Sequence, residues 1–148
     1  MHRHLSRLTG GDRARTEDLT QEAFLKLAAA VSSGALEDVS VGWLMVTARY
    51  EFLHALRRDR RDDRLLDRLD APPDVASDDR VADALDLRTA MGGLTDTQRA
   101  VLVFRYSDDL PVAEVARLLD RSIEATESLL VRARARLRVL VMEAGHGR

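Results

Sequence analysis

Arginine is the residue type best able to do chemistry in this chain, and it comes in two clusters. Arg57, Arg58, Arg60 and Arg61 stand within five positions, and Arg132, Arg134, Arg136 and Arg138 recur at every second position. Guanidinium groups in such runs hold phosphate oxygens through charge-assisted hydrogen bonds. Trp43, Tyr50 and Phe52 shortly precede the first cluster. Aromatic rings beside a basic cluster stack on unpaired bases while the arginines hold the strand. Plainer uses compete. A helix C-terminus accounts for about one of these arginines through its dipole. Trp43 also lies on an apolar stripe, where it serves equally as a core residue.

Enzyme chemistry finds little support. The chain has no cysteine, which removes thiolate nucleophiles, thiolate metal sites and disulfides. Its histidines are His2, His4, His54 and His146, with His2 and His4 at a terminus expected to fray. No His-x-x-x-His pair and no glycine-rich phosphate loop occurs, and Gly10-Gly11 and Gly92-Gly93 read as turns. No nucleophile–base or metal constellation emerges, so neither a catalytic residue nor a metal or cofactor is expected.

The chain has 148 residues, 45 % apolar but only 4 % aromatic, so its core must be built mainly from Leu, Ala and Val, which suits helices. The formal net charge of −2 hides an uneven distribution. Residues 49–61 carry +3 and 120–148 carry +2, whereas 62–86 hold nine Asp against three Arg. Two basic segments flanking an acidic one point to a polyanionic partner. Solvated helix faces explain any one segment alone equally well. No apolar run approaches the roughly 20 residues that span a bilayer, and no signal-peptide stretch opens the chain. A cytoplasmic protein without membrane insertion is expected.

Helical spacing dominates, and no segment alternates at period two. Thr16 before Glu17 and Asp18 reads as the N-cap of a helix running to about Val31, with Leu19, Ala23, Phe24 and Leu27 on its apolar stripe. Ser40 caps a second helix, whose stripe is Trp43, Leu44, Val46, Thr47, Tyr50, Leu53 and Leu56. Pro72-Pro73 and the aspartates around them mark a linker, flexible over residues 71–79. A further helix begins near Val81 and ends at Gly92-Gly93. Thr95 with Gln98 forms a capping box. Pro111 opens a short helix. Asp120-Arg121 turns the chain, and Ser122 caps a long final helix with Ile123, Thr126, Leu130, Ala133, Leu137 and Leu140 on one face. The expected fold is all-α, with about three helices before the linker and four after it. It forms two small helical domains, 1–61 and 81–148, joined by an acidic linker over 62–80.

Residues 94–140 outline a helix-turn-helix, in which the last helix enters the DNA major groove. Its reading edge nevertheless carries Glu124 and Glu127, and residues 120–131 have a net charge of −2. Carboxylates repel the phosphate backbone. They can also accept from cytosine N4, so altered reading and weakened reading both stay open. Simple stabilisation of a helix N-terminus by acids competes with both.

Together these segments resemble bacterial sigma factors. Asp18-Leu-Thr-Gln-Glu-Ala-Phe-Leu-Lys-Leu27, followed by Trp43-Leu-Met-Val-Thr-Ala-Arg49 and the arginine cluster, looks like the second sigma domain. Residues 94–140 look like the fourth, and the short linker points to the extracytoplasmic-function group. The resemblance implies that Asp18, Gln21, Glu22 and Leu25 bind core RNA polymerase at its beta-prime clamp helices, while the second half meets the beta flap. It assigns the minus-ten element to Trp43, Arg49, Tyr50, His54, Arg57, Arg58, Arg60 and Arg61. It assigns the minus-thirty-five element to Arg121, Ser122, Glu124, Ala125, Glu127, Ser128, Arg132 and Arg136. Promoter DNA is the second partner, and an anti-sigma factor or activator protein a third.

Departures from the family pattern are specific. About eight residues precede Gly10 where the family has a longer helix, which implies a truncated or mis-assigned start. Tyr50 and His54 replace the family's usual Asn and Asp. Ala125, Glu127 and Leu129 stand where it commonly has Thr, Lys and Arg. The expected function is a sigma factor for transcription initiation with atypical or weakened minus-thirty-five reading. The alternatives are a sigma-like regulator that does not read a whole promoter, and a stand-alone helix-turn-helix repressor.

Overall fold

The computed structural model describes residues 1–37, 39–58 and 84–147. The expected linker, its flexibility, and Arg60 and Arg61 lie outside the described residues. Seven α-helices and no strand occur among those described: α1 (His2–Leu8), α2 (Arg13–Ser32), α3 (Val41–Arg58), α4 (Ala84–Gly92), α5 (Asp96–Leu102), α6 (Val112–Leu119) and α7 (Ile123–His146). A π-helical turn, Val103–Ser107, continues α5.

Several boundaries follow from local chemistry as expected. The Ser40 hydroxyl accepts from the Trp43 N–H at 3.1 Å. Thr95 and Gln98 form a reciprocal capping box on α5. Ser122 accepts from the Ala125 N–H at 3.0 Å, and Asp120 turns the chain in the left-handed region at φ +53°. Three expectations need correction. Asp12, not Thr16, caps α2, through the Arg15 N–H at 3.1 Å. Thr16 is buried one turn in, its hydroxyl 2.7 Å from that of Thr9. Pro111 is the N-cap residue of α6 rather than part of its first turn. His2 and His4 belong to α1, and His4 is buried rather than frayed.

The buried faces also differ in detail. On α3 they are Ala48, Phe52, Leu53 and Leu56, while Val46 and Tyr50 are about half exposed (47 % and 53 %). On α2, Leu19 and Ala23 are buried but Phe24 is exposed. On α7, Thr126, Leu129, Leu130 and Ala133 are buried and Ile123 is exposed. A stripe of period 3.6 leaves the angular position of a face uncertain by about one residue, and neighbouring helices then choose.

The helices before and after residues 59–83 pack against one another. Leu5, Leu8, Phe52 and Leu53 share one continuous core with Leu94, Val101, Phe104, Val115 and Leu129. The two halves are therefore distinct in sequence but joined along a seam.

Candidate nucleic-acid and polymerase interface

The polymerase-binding candidates Asp18, Gln21, Glu22 and Leu25 fall on one face of α2, one turn apart, and all are exposed. Leu25 is 64 % exposed, with Phe24 beside it. An apolar side chain flanked by acids and left open on a rigid helix is the composition of a docking face for a basic partner surface. α2 lies along α3, where the Lys26 ammonium pairs with Glu51.

The described minus-ten candidates line α3. Tyr50, His54, Arg57 and Arg58 are exposed, and Trp43 is half-buried. Arg49 is different: its guanidinium contacts Asp108 at 3.3 Å and lies 5.7 Å from the Phe104 ring centre. Both partners belong to the second half. Arg57 shares a small cleft with Arg121, Leu118 and Leu119. The second half thus covers part of the face expected to meet single-stranded DNA.

On α7, Glu124, Glu127 and Ser128 are exposed, Ala125 is half-buried, and Ser122 serves as the cap. Arg132 and Arg136 are half-buried on one side of the helix, while Arg134 and Arg138 are exposed on another. That division follows from about 100° per residue. Leu129 is fully buried. Its side chain belongs to the core here and not to the exposed edge. The acidic edge therefore rests on Glu124 and Glu127, which no described basic side chain neutralises.

The seam itself went unread in the sequence. Asp96, in the first turn of α5, receives Arg15 of α2 at 2.8 Å and Arg99 at 2.9 Å. Burial pushes its carboxyl pKa up, but hydrogen bonds and charge from Arg15 and Arg99 outweigh this and hold it below the usual range. Arg99 is 4 % exposed. It donates to the carbonyls of Met91, Leu94 and, across the seam, Leu8, at 2.8, 2.7 and 3.1 Å. Gly10 makes room for it: its φ is +68°, and a Cβ there would sit 2.6 Å from the Arg99 guanidinium carbon. The π turn places Asp108 toward α1 and α3, where it faces Arg49 and, at 3.4 Å, Nδ1 of His4.

Burial lowers the His4 pKa, and Arg49, the N-terminal amine and Arg7 add to this, outweighing the opposite pull of Asp108. Its folded pKa is thus below the value of about 6.5 expected when unfolded. The unfolded chain takes up the proton first as pH falls, so the stability linked to neutral His4 is complete above about 6.5 and declines below it. Urea midpoints measured from pH 7.5 down to 5.5 should fall for the natural chain and fall less for His4→Phe. Parallel pH profiles would remove His4 from this role.

The described residues contain no cluster of His, Asp or Glu able to hold a metal, and no helix long and apolar enough to cross a membrane.

Residues 1–62 match the family model "Sigma-70 region 2", and residues 84–137 match "Sigma-70, region 4". No curated protein matches the chain. Among solved structures, the fold is similar to the sigma factor RpoE of Bartonella quintana in its complex with the anti-sigma factor NepR. The TM-score is 0.57 at 22 % identity, covering 95 % of this chain and 89 % of that one. The second-region match contains α1 to α3 and the fourth-region match contains the helix-turn-helix, in the order the resemblance required. This chain belongs to the sigma-70 family, carrying its regions 2 and 4, and is a sigma factor that directs transcription initiation.

Proposed function

We propose that α2 docks on the beta-prime clamp helices of core polymerase through Asp18, Gln21, Glu22 and Leu25, and that the second half reaches the beta flap. The observation that carries this is the exposed acidic and apolar line on α2. α3 then holds the displaced strand of the minus-ten element, with Tyr50 and Trp43 as stacking surfaces and Arg49, His54, Arg57 and Arg58 along the strand's backbone; Arg60 and Arg61 follow in sequence as further phosphate-binding candidates.

Promoter binding requires the seam to open. A compact chain of this length has a radius of gyration of about 15 Å. Elements some 25 base pairs apart lie about 85 Å apart along B-form DNA. The closed chain cannot reach both, and it keeps Arg49 on Asp108. His4 Nε2 and Arg49 Nε are buried without a hydrogen-bond partner among the described residues, a cost that opening relieves. The anti-sigma protein in the complex of the similar RpoE supports a protein partner that holds this chain closed. An activator that aids upstream contact is the alternative partner.

Reconstitution with core polymerase on a candidate promoter tests the reading, and failure to bind core would overturn it. The exposed Glu124 and Glu127 favour one second reading, a sigma-like regulator that binds core without opening a promoter; core binding with no open complex would select it. They also underlie the proposal that minus-thirty-five reading is weak. Glu124→Lys with Glu127→Lys should raise affinity for minus-thirty-five duplex about tenfold and steepen the salt slope by about 1 per lysine. Fluorescence anisotropy across a salt series checks this, and an unchanged slope would show that this edge does not face the backbone.

A further inference from the structure

A groove of about 850 Å³ runs between α1 on one side and α4, the π turn and α7 on the other. Sites that take small organic ligands span about 300–1,000 Å³. The floor is aliphatic, formed by Leu87, Met91, Leu102, Val103 and Leu137. The sides carry Arg3, Arg7, Arg88 and Arg134, and among the described residues no Asp or Glu lines the groove. Elsewhere on the seam, Arg15, Arg49 and Arg99 each meet an aspartate. Among the described residues the four groove arginines form no ion pair; Arg134 donates to the Tyr106 hydroxyl at 3.0 Å. An aliphatic strip thus lies beside four guanidinium groups whose charge is unmatched.

We propose that this groove binds a single-chain phosphorylated amphiphile, an aliphatic tail ending in a phosphate monoester. Charge selects the head group. Arg3 and Arg7 stand one turn apart on α1, and Arg88 and Arg134 come from α4 and α7 on the other wall. A phosphate monoester carries a charge of about −1.5 to −2 at neutral pH and offers three acceptor oxygens. Guanidinium forks grip such oxygens in pairs. A carboxylate brings a single charge and two oxygens, too few for cations on both walls. The floor selects the tail. It is built from leucine, methionine and valine and holds no ring on which a nucleobase stacks. A nucleotide or a nucleic-acid strand leaves this strip unmatched, whereas an alkyl chain removes it from water. Leu87 is 43 % exposed and so stands open to such a chain. Neither α2 nor α3 contributes a residue to the groove, and no promoter-reading candidate of α7 lines it. The site is therefore separate from the faces assigned to polymerase and promoter. It gives the chain a receptor for a soluble phosphorylated lipid, and the binding does not rest on the sigma-factor assignment.

The probe is dodecyl phosphate, kept below its critical micelle concentration and titrated against the full chain by isothermal titration calorimetry. Saturable binding at one site per chain is expected. Affinity should rise about tenfold or more from octyl to dodecyl phosphate, because four further CH₂ groups leave water. Dodecanol and dodecyltrimethylammonium should each bind about tenfold or more weakly than dodecyl phosphate. Affinity should also fall about tenfold or more in Arg3→Glu/Arg7→Glu and, independently, in Arg88→Glu and in Leu87→Glu, which sets a carboxylate on the floor. Arg3, Arg7, Leu87 and Arg88 are all exposed, so these changes spare the core, and circular dichroism checks native helicity. The chain-length and head-group series use the natural chain and decide the matter whatever the variants do. Equal binding of inorganic phosphate, dodecanol or the cationic amphiphile would overturn the proposal. So would unchanged affinity in all the folded variants, or uptake of many equivalents without saturation. Co-sedimentation with phosphatidic-acid vesicles, without binding of monomeric dodecyl phosphate, would make the arginines a membrane contact and overturn it as well.

Discussion

Arg99→Ala should lower the thermal unfolding midpoint by about 10 °C, the largest stability effect expected of any single polar residue described here. Arg99 is almost fully buried and ties three parts of the chain together. These are the end of α1 through the Leu8 carbonyl, the α4–α5 connection through Met91 and Leu94, and the α5 start through Asp96. Truncation takes the guanidinium donor from each of those carbonyls and removes one of the two cations from Asp96. Losing one partner of a buried ionic network costs about 3–5 kcal/mol. A compact domain of this size loses about 2–4 °C per kcal/mol.

Arg99→Lys should recover little, because an ammonium cannot present the planar fork that reaches several acceptors at once. Gly10→Ala should destabilise for the same reason from the opposite side, since its Cβ would strike the guanidinium at 2.6 Å. Combined with Arg99→Ala it should add less than its separate effect, because the clash partner is gone. Differential scanning fluorimetry measures the midpoint, and small-angle scattering reads whether the halves separate. A midpoint within about 2 °C of the natural chain would show that the Arg99 contacts contribute no more than an ordinary surface residue.

The largest functional effect is expected on α2. Leu25→Asp should weaken binding to core polymerase about 30-fold or more while leaving stability unchanged. Leu25 is 64 % exposed, so its replacement opens no cavity. At a docked interface, truncating a central apolar anchor costs about 2 kcal/mol or more, which corresponds to about 30-fold. Asp18→Lys with Glu22→Lys should act through the on-rate and lose effect at high salt. Competition for core against the natural chain distinguishes the two. Unaltered binding by Leu25→Asp would move the docking face away from α2.

How much of this was legible beforehand can be judged from individual residues. The Thr95–Gln98 box, the Ser40 and Ser122 caps and the Asp120 turn are local, so sequence alone located them. Asp18, Gln21, Glu22 and Leu25 were named by the family resemblance, and the structure leaves all four exposed on α2. Leu129 was left off the apolar face because only packing shows that its side of α7 meets the core. The Asp12 cap was hidden because Thr16, Glu17 and Asp18 make an equally good local signal one turn later. The π turn had no signal: it depends on Asp108 N–H bonding the Val103 carbonyl at 3.0 Å while its carboxylate is held by His4 and Arg49.

By itself the sequence determined most of the helices, the caps at Ser40, Thr95 and Ser122, the two sigma-like halves and the acidic reading edge. All of these are set by residues within one or two turns of each other. Only the tertiary structure decided the seam. Arg15 with Asp96 and Arg49 with Asp108 join residues far apart in the chain, 81 and 59 positions respectively. Local periodicity carries no information about such partners. Each of these charges also reads as a solvated surface group until packing removes the water around it.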